Sequence, residues 1–301
     1  MGAGRQLWRG GRARLSVDHG WRSTQFTRST RSTRSTRSRL RVPQDSAPRR
    51  RAGGCTGRTH PQTGAPPCRT LAPAYPGFEV EVESLNADTS PIEKVTVPQI
   101  VDSLAALVQG LDKPLVLIGH SAGGVFVQLL LDRGLGAAGV AINSAPTEGV
   151  AVLPLAQIKS AFPVLKNPAN RHRAVGLTFE QWHYAFTNTF PEEESRALYE
   201  RYAVPASGSI FWDSALATLR PGHQSIYVNY HNGDRPPLLF VSGEKDHLMP
   251  PKVQHSNAKH YKSHTVTEVK EYPGMPHLLP AAPGWEAVAD GALDWAVAHA
   301  R

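Results

Sequence analysis

Leu115-Val116-Leu117-Ile118-Gly119-His120-Ser121-Ala122-Gly123-Gly124 is the stretch that decides how this chain is read. Four β-favouring apolar residues lead into a Gly-x-Ser-x-Gly turn, and an apolar run from Val125 to Leu131 follows it. Strand, tight turn and helix start in that order make a nucleophile elbow, which strains the serine backbone and pushes its hydroxyl out at the top of a sheet. On this reading Gly119 and Gly123 are glycines because a Cβ at either would strike the neighbouring strand or helix. His120 flanks the serine, and since successive turn residues point apart, it is expected to shape the oxyanion side rather than act as a base. The competing reading of the same letters is a strand-to-helix turn with an idle serine. The flanks favour the elbow.

Working outward, the charge is unevenly spread. Of the chain's 301 residues, the first 70 hold sixteen Arg, no Lys and only Asp18 and Asp45 as acids, whereas the rest holds 17 basic and 23 acidic residues. The formal charge of +8 therefore comes from the amino-terminal segment alone, and the remainder offers no basic footprint for nucleic acid. That segment carries the tripeptide repeat Arg28-Ser29-Thr30-Arg31-Ser32-Thr33-Arg34-Ser35-Thr36-Arg37-Ser38 and no apolar periodicity, so disorder is expected over residues 1–68. An organelle transit segment would share its Arg and Ser but would show an amphipathic stripe, and a basic arm for nucleic acid or acidic membrane is a second alternative. Arg without Lys among Gly, Pro, Ser and Thr favours a third account, translation of GC-rich DNA in the wrong frame or from a wrong start.

The apolar content of 40% is enough for one sizeable core, and no run is long enough to cross a bilayer, so a soluble, cytoplasmic protein is expected. Cys55 and Cys68 both lie in or beside the Arg-rich segment, which leaves the remainder without a thiolate nucleophile, a disulfide framework or a Cys-based metal site.

Along the rest of the chain, Pro98 opens a helix in which Ile100, Val101, Leu104, Leu107 and Val108 recur, and Gly110 stops it. The helix after the elbow is apolar nearly all round, hence buried, and ends at Gly134. Gly139 to Asn143, Pro237 to Gly243 and Thr265 to Val269 read as strands, and Trp285 to His299 as an amphipathic helix with Val288, Ala292, Trp295 and Ala296 on one side. Between Thr147 and Tyr230 the strand pattern lapses into short helices broken by six prolines and crowded with aromatics. Trp182, Phe186 and Phe190 fall at helical spacing, which for any single ring fits packing better than substrate contact. Together with Trp212 they still make candidates for an apolar cleft.

With the elbow in this context, residues 71–301 resemble a serine hydrolase of the α/β-hydrolase superfamily. The resemblance implies an α/β fold, a mostly parallel sheet with flanking helices and a helical cap inserted over the site. It divides the chain into the tail at 1–68, core at 69–147, cap at 148–230 and core again at 231–301, with the amino-terminal strands missing or replaced. Arg69 to Gly77 resembles the family's strand that ends in a Pro-containing turn.

A serine hydroxyl is a weak nucleophile at neutral pH and needs a histidine to take its proton, oriented by a carboxylate. The loop Gly243-Glu244-Lys245-Asp246-His247-Leu248-Met249-Pro250 resembles the family's acid loop and places Asp246 in that role, with Glu244 as the alternative. Asp246 is also suited to capping a helix that begins near Pro250. The base is expected at His277, in Pro273-Gly274-Met275-Pro276-His277-Leu278-Leu279-Pro280, where the family keeps it. Of the six histidines after Asp246, His255, His260 and His264 lie in a Lys-rich polar stretch and His299 at the end of the last helix; a surface metal site on His260 and His264 lacks a third ligand in register. The family's oxyanion hole uses the N–H after the nucleophile, here Ala122, and one from a His-Gly loop, for which only Val17-Asp18-His19-Gly20-Trp21 offers a match.

These residues imply hydrolysis of a small-molecule ester of an organic acid through an acyl-enzyme, with no metal or organic cofactor. A non-catalytic ligand-binding protein of the same fold, lacking the oxyanion loop, is the alternative.

Overall fold

The computed structural model describes residues 70–113, 115–219 and 222–300. The expectations for residues 1–68, including the His19-Gly20 loop, lie outside them. In chain order the elements are α1 (Val82–Ala87), α2 (Ser90–Glu93), α3 (Val97–Gln109), β1 (Val116–His120), α4 (Ala122–Asp132), β2 (Ala138–Ile142), α5 (Leu155–Leu165), β3 (Ala174–Val175), α6 (Phe179–Phe186), α7 (Glu192–Tyr202), β4 (Ala206–Ser207), α8 (Gly208–Leu219), β5 (Leu238–Gly243), α9 (Pro251–His260), β6 (Thr267–Tyr272) and α10 (Trp285–His299).

Strands β1, β2, β5 and β6 lie in that order in one parallel sheet, while the two-residue strands β3 and β4 pair antiparallel apart from it. Parallel strands need covered faces, because the crossover helices pack on both. β2 and β5, central among the described strands, are accordingly buried along their whole length and read in sequence as apolar runs interrupted only by Ser242. Their side chains alternate. Ala141, Leu238 and Phe240 join Ile100, Val101, Phe126 and Leu130 on the face covered by α3 and α4, and Val140, Ile142, Leu239 and Val241 join Val288, Ala292 and Ala296 of α10 on the other.

Several boundaries differ from the periodicity, each for a local reason. Residues 70–77 form no strand: Pro73 and Pro76 cannot donate to a ladder, and the chain instead turns at Pro76-Gly77, where the Phe78 N–H meets the Tyr75 carbonyl at 2.9 Å. The last strand runs from Thr267 rather than Thr265, because the Thr265 carbonyl is held by the Arg235 guanidinium (3.1 Å). It extends through polar Lys270 and Glu271, whose exposure on an outer strand costs nothing. Phe190 lies beyond the end of α6, so the helical spacing with Trp182 and Phe186 does not carry to it.

Pro98 does sit in the first turn of α3, with the Gln99 side chain accepting from the Thr96 N–H at 2.9 Å to close that helix end.

Candidate active site

The elbow is built as its residue types require. Ser121 has φ 56° and ψ −117°, a region that a residue with a Cβ occupies only under strain of about 1–3 kcal/mol. What holds it there is the sheet and the helix on either side: its N–H donates to the Ile142 carbonyl of the adjacent strand (2.9 Å), and its carbonyl accepts from Gly124 (3.0 Å) and Ala145 (3.1 Å). A Cβ on Gly119 would lie 2.1 Å from the Gly123 carbonyl oxygen, so strand and helix could not approach this closely with any other residue.

Ser121 is half-buried, and its Oγ lies 3.1 Å from His277 Nε2. His277 Nδ1 lies 2.8 Å from Asp246 Oδ2, and both side chains are fully buried. An ionised carboxylate only accepts, so this contact places the proton on Nδ1 and leaves Nε2 free to accept from the serine hydroxyl. Asp246 divides its oxygens between two tasks. Oδ2 meets the histidine, while Oδ1 accepts from the N–H groups of Leu248 and Met249, each at 2.7 Å. Its capping role is therefore within its own loop; α9 starts after Pro250 with no side-chain cap.

Glu244 is placed elsewhere. It is exposed, and its carboxylate is held below its usual range chiefly by the Gly274 N–H (2.8 Å), with the Lys245 ammonium second. Of the other histidines, His255 pairs with Glu271, His260 Nδ1 meets the Ser256 carbonyl and His299 Nδ1 the Trp295 carbonyl. Among the described residues no group of three or more His, Cys, Asp or Glu is arranged to hold a metal ion.

Two residues position His277 in ways its loop sequence does not reveal. Asn143, fully buried with φ 44°, donates through Nδ2 to the carbonyls of Pro276 (3.1 Å) and His277 (3.0 Å) and accepts at Oδ1 from the Gly243 N–H (2.7 Å). It thereby ties the loop carrying His277 to the strand end that leads to Asp246. The only signal in the sequence is an Asn ending a strand, a residue type that tolerates positive φ. His120 turns its ring toward the same loop, Nε2 meeting the His277 carbonyl at 2.7 Å. Gly243 lets the strand pass under the loop, since a Cβ there would come within 2.5 Å of the Met275 carbonyl oxygen. Asn143→Ala is expected to lower stability by about 3 kcal/mol, because it takes the acceptor from the buried Gly243 N–H and the donor from the Pro276 carbonyl, strips the His277 carbonyl of one of its two donors and places alanine at positive φ. Urea denaturation measures this, and Asn143→Asp, which tolerates the backbone but sets a buried carboxylate oxygen against the Pro276 and His277 carbonyls, should be no more stable than Asn143→Ala.

Of the four ring candidates, Phe186 reaches this cluster, its ring edge-on to His277 with centroids 5.1 Å apart. Its carbonyl also accepts from the Leu278 N–H (2.8 Å), and Trp182 stacks on it at 5.5 Å. Phe190 is buried in the turn after α6, and Trp212 lies on α8. A polar cleft of about 300 Å³ lined by Glu93, Lys94, Arg171, His172, Ser209 and Asp213 contains none of the residues of this cluster.

The family model described as the alpha/beta hydrolase family matches residues 19–290. The chain belongs to the alpha/beta hydrolase family. The match opens at His19, inside the stretch that charge and repeat set apart in the sequence. Among solved structures, this alpha/beta hydrolase is similar to a pyrethroid hydrolase from Sphingobium faniae JZ-2, at 18% identity and a TM-score of 0.52, over 76% of this chain and 87% of that one. It is likewise similar to an extracellular alpha/beta-hydrolase from a Paenibacillus species, at 19% identity and a TM-score of 0.51, over 77% and 87% of the two chains. At these identities the likeness concerns the fold. Among curated proteins no sequence matches. No helix among the described residues is long and apolar enough to cross a membrane.

Proposed function

We propose that this alpha/beta hydrolase cleaves a small-molecule ester of an organic acid with Ser121 as nucleophile, His277 as general base and acid, and Asp246 as the carboxylate that orients it. One observation carries the reading: the continuous path from Ser121 Oγ through His277 (3.1 Å) to Asp246 (2.8 Å), with the serine on a positive-φ elbow.

In the proposed reaction Ser121 Oγ attacks the ester carbonyl carbon while His277 Nε2 takes its proton. The carbonyl oxygen becomes an oxyanion held by the Ala122 N–H at the first turn of α4. The C–O bond to the alcohol then breaks, and the alcohol leaves with the proton from His277. Water, deprotonated by the same nitrogen, next attacks the acyl-serine to release the acid and restore the hydroxyl. The family match opening at His19 takes in His19-Gly20, the one stretch of the sequence that resembles the family's second oxyanion loop. The segment 148–230 is the proposed cap, and Phe186, edge-on to His277, is the proposed wall between cap and site.

A fluorophosphonate probe tests the reading directly, since it reacts with a serine only where a neighbouring base activates it. Labelling at Ser121, together with turnover of p-nitrophenyl esters, is the expected result. A folded protein that takes no label and turns over no ester of any acyl length would instead favour the ligand-binding alternative.

A further inference from the structure

We propose that the outer face of α5 docks on an anionic lipid surface. The helix is inverted relative to a normal surface helix. Its buried side carries Gln157 and Ser160 beside Val164. Gln157 Nε2 lies 3.4 Å from Met249 Sδ, and Ser160 Oγ donates to the His247 carbonyl at 3.2 Å. Its solvent side carries the large apolar residues: Leu155 is 85% exposed, Phe162 59% and Ile158 45%, with Leu153 just ahead of the helix at 54%. At about 100° per residue, Leu155, Ile158 and Phe162 fall within a wedge of roughly 60°. They form a ridge, which is the feature that separates a contact surface from scattered exposed residues.

Charge selects the occupant. From residue 149 to 179 the chain carries Lys159, Lys166, Arg171 and Arg173 and no acid, whereas the rest of residues 71–301 holds 13 basic against 23 acidic. Arg171 pairs with Asp213, and the Lys159 ammonium lies 3.8 Å from the Tyr184 ring centroid. Lys159, Lys166 and Arg173 are all exposed. Lys159 and Lys166 border the ridge on the helical wheel. A second copy of this chain packed face to face would set like charge against like charge. An anionic bilayer offers the two properties the face needs, an apolar interior for the ridge and negative headgroups for the lysines. Such a helix lies in the interface plane and does not span it. Because Gln157 and Ser160 contact Met249 and His247 from the opposite, inner side, the docked helix would lie directly over the loop that carries Asp246. The inference does not depend on the hydrolase reading.

Vesicle co-sedimentation of the full chain tests it, with phosphatidylcholine alone and with a third phosphatidylserine, at low and high salt. Wild type is expected to prefer the anionic vesicles and to keep a salt-resistant fraction. Leu155→Ser/Phe162→Ser should weaken binding at least about tenfold and remove that fraction. Lys159→Ala and Lys166→Ala should each cost about fivefold at low salt. All these side chains are exposed, so circular dichroism should be unchanged. The Arg-rich amino terminus is the same in every variant, so binding that the serine substitutions leave at wild-type strength would assign it to that segment and overturn the proposal. Absence of wild-type binding would overturn it too, as would a dimer dissolved by the serine substitutions without any vesicle binding.

Discussion

Ser121→Ala is expected to lower kcat for an activated ester by about 10⁶ and to abolish fluorophosphonate labelling. The size follows from the role proposed for the hydroxyl: without it no acyl-serine could form, and His277 would have only water to activate. Alanine also removes the hydrogen bond to His277 Nε2, but the elbow is held by backbone contacts to Ile142, Gly124 and Ala145, so the fold should survive. Single-turnover kinetics on the variant, with thermal denaturation as a control, measure the effect. Retention of most of the activity by a folded Ser121→Ala protein would remove Ser121 from the mechanism.

Asp246→Asn should cost about 10⁴ in kcat. Asparagine can offer its N–H to His277 Nδ1, which turns the ring into the tautomer that carries its proton on Nε2 and cannot accept from Ser121. The loop itself should persist, because the amide oxygen can still accept from the N–H groups of Leu248 and Met249. Glu244→Gln is the matched comparison. Its carboxylate bonds to Gly274 and Lys245 on the surface, so kcat should change less than about threefold. The reverse pattern, a harmless Asp246→Asn and an inactive Glu244→Gln, would exchange the two assignments.

How far each element is legible in the amino-acid sequence depends on how local its signal is. The elbow is legible because its constraint lies within five residues: Gly119 must yield to the carbonyl of Gly123, four positions on. The core strands β2 and β5 are legible because burial on both faces leaves apolar residues along them, with Ser242 the one polar residue. Strand β6 starts two residues later than its apolar alternation suggests, because that start is set by Arg235, which is remote from it in sequence. Asn143 and His120 carry no local sign of their roles, since both act on the carbonyl of a residue more than a hundred positions away. The inverted face of α5 is likewise hidden, as an amphipathic pattern reports two faces but not which of them points inward.

The amino-acid sequence by itself determined the fold class, the elbow with its serine, and the short set of acids and histidines from which a base and its partner could come. Only the tertiary structure decided that His277 and Asp246, and not Glu244 or the neighbouring histidines, stand in line with Ser121. The reason is physical. A hydrogen bond needs its atoms within about 3 Å. For residues 121, 246 and 277 that distance is set by the parallel register of β1, β2, β5 and β6 and by the buried Asn143 that joins their loops, neither of which leaves a local trace in the chain.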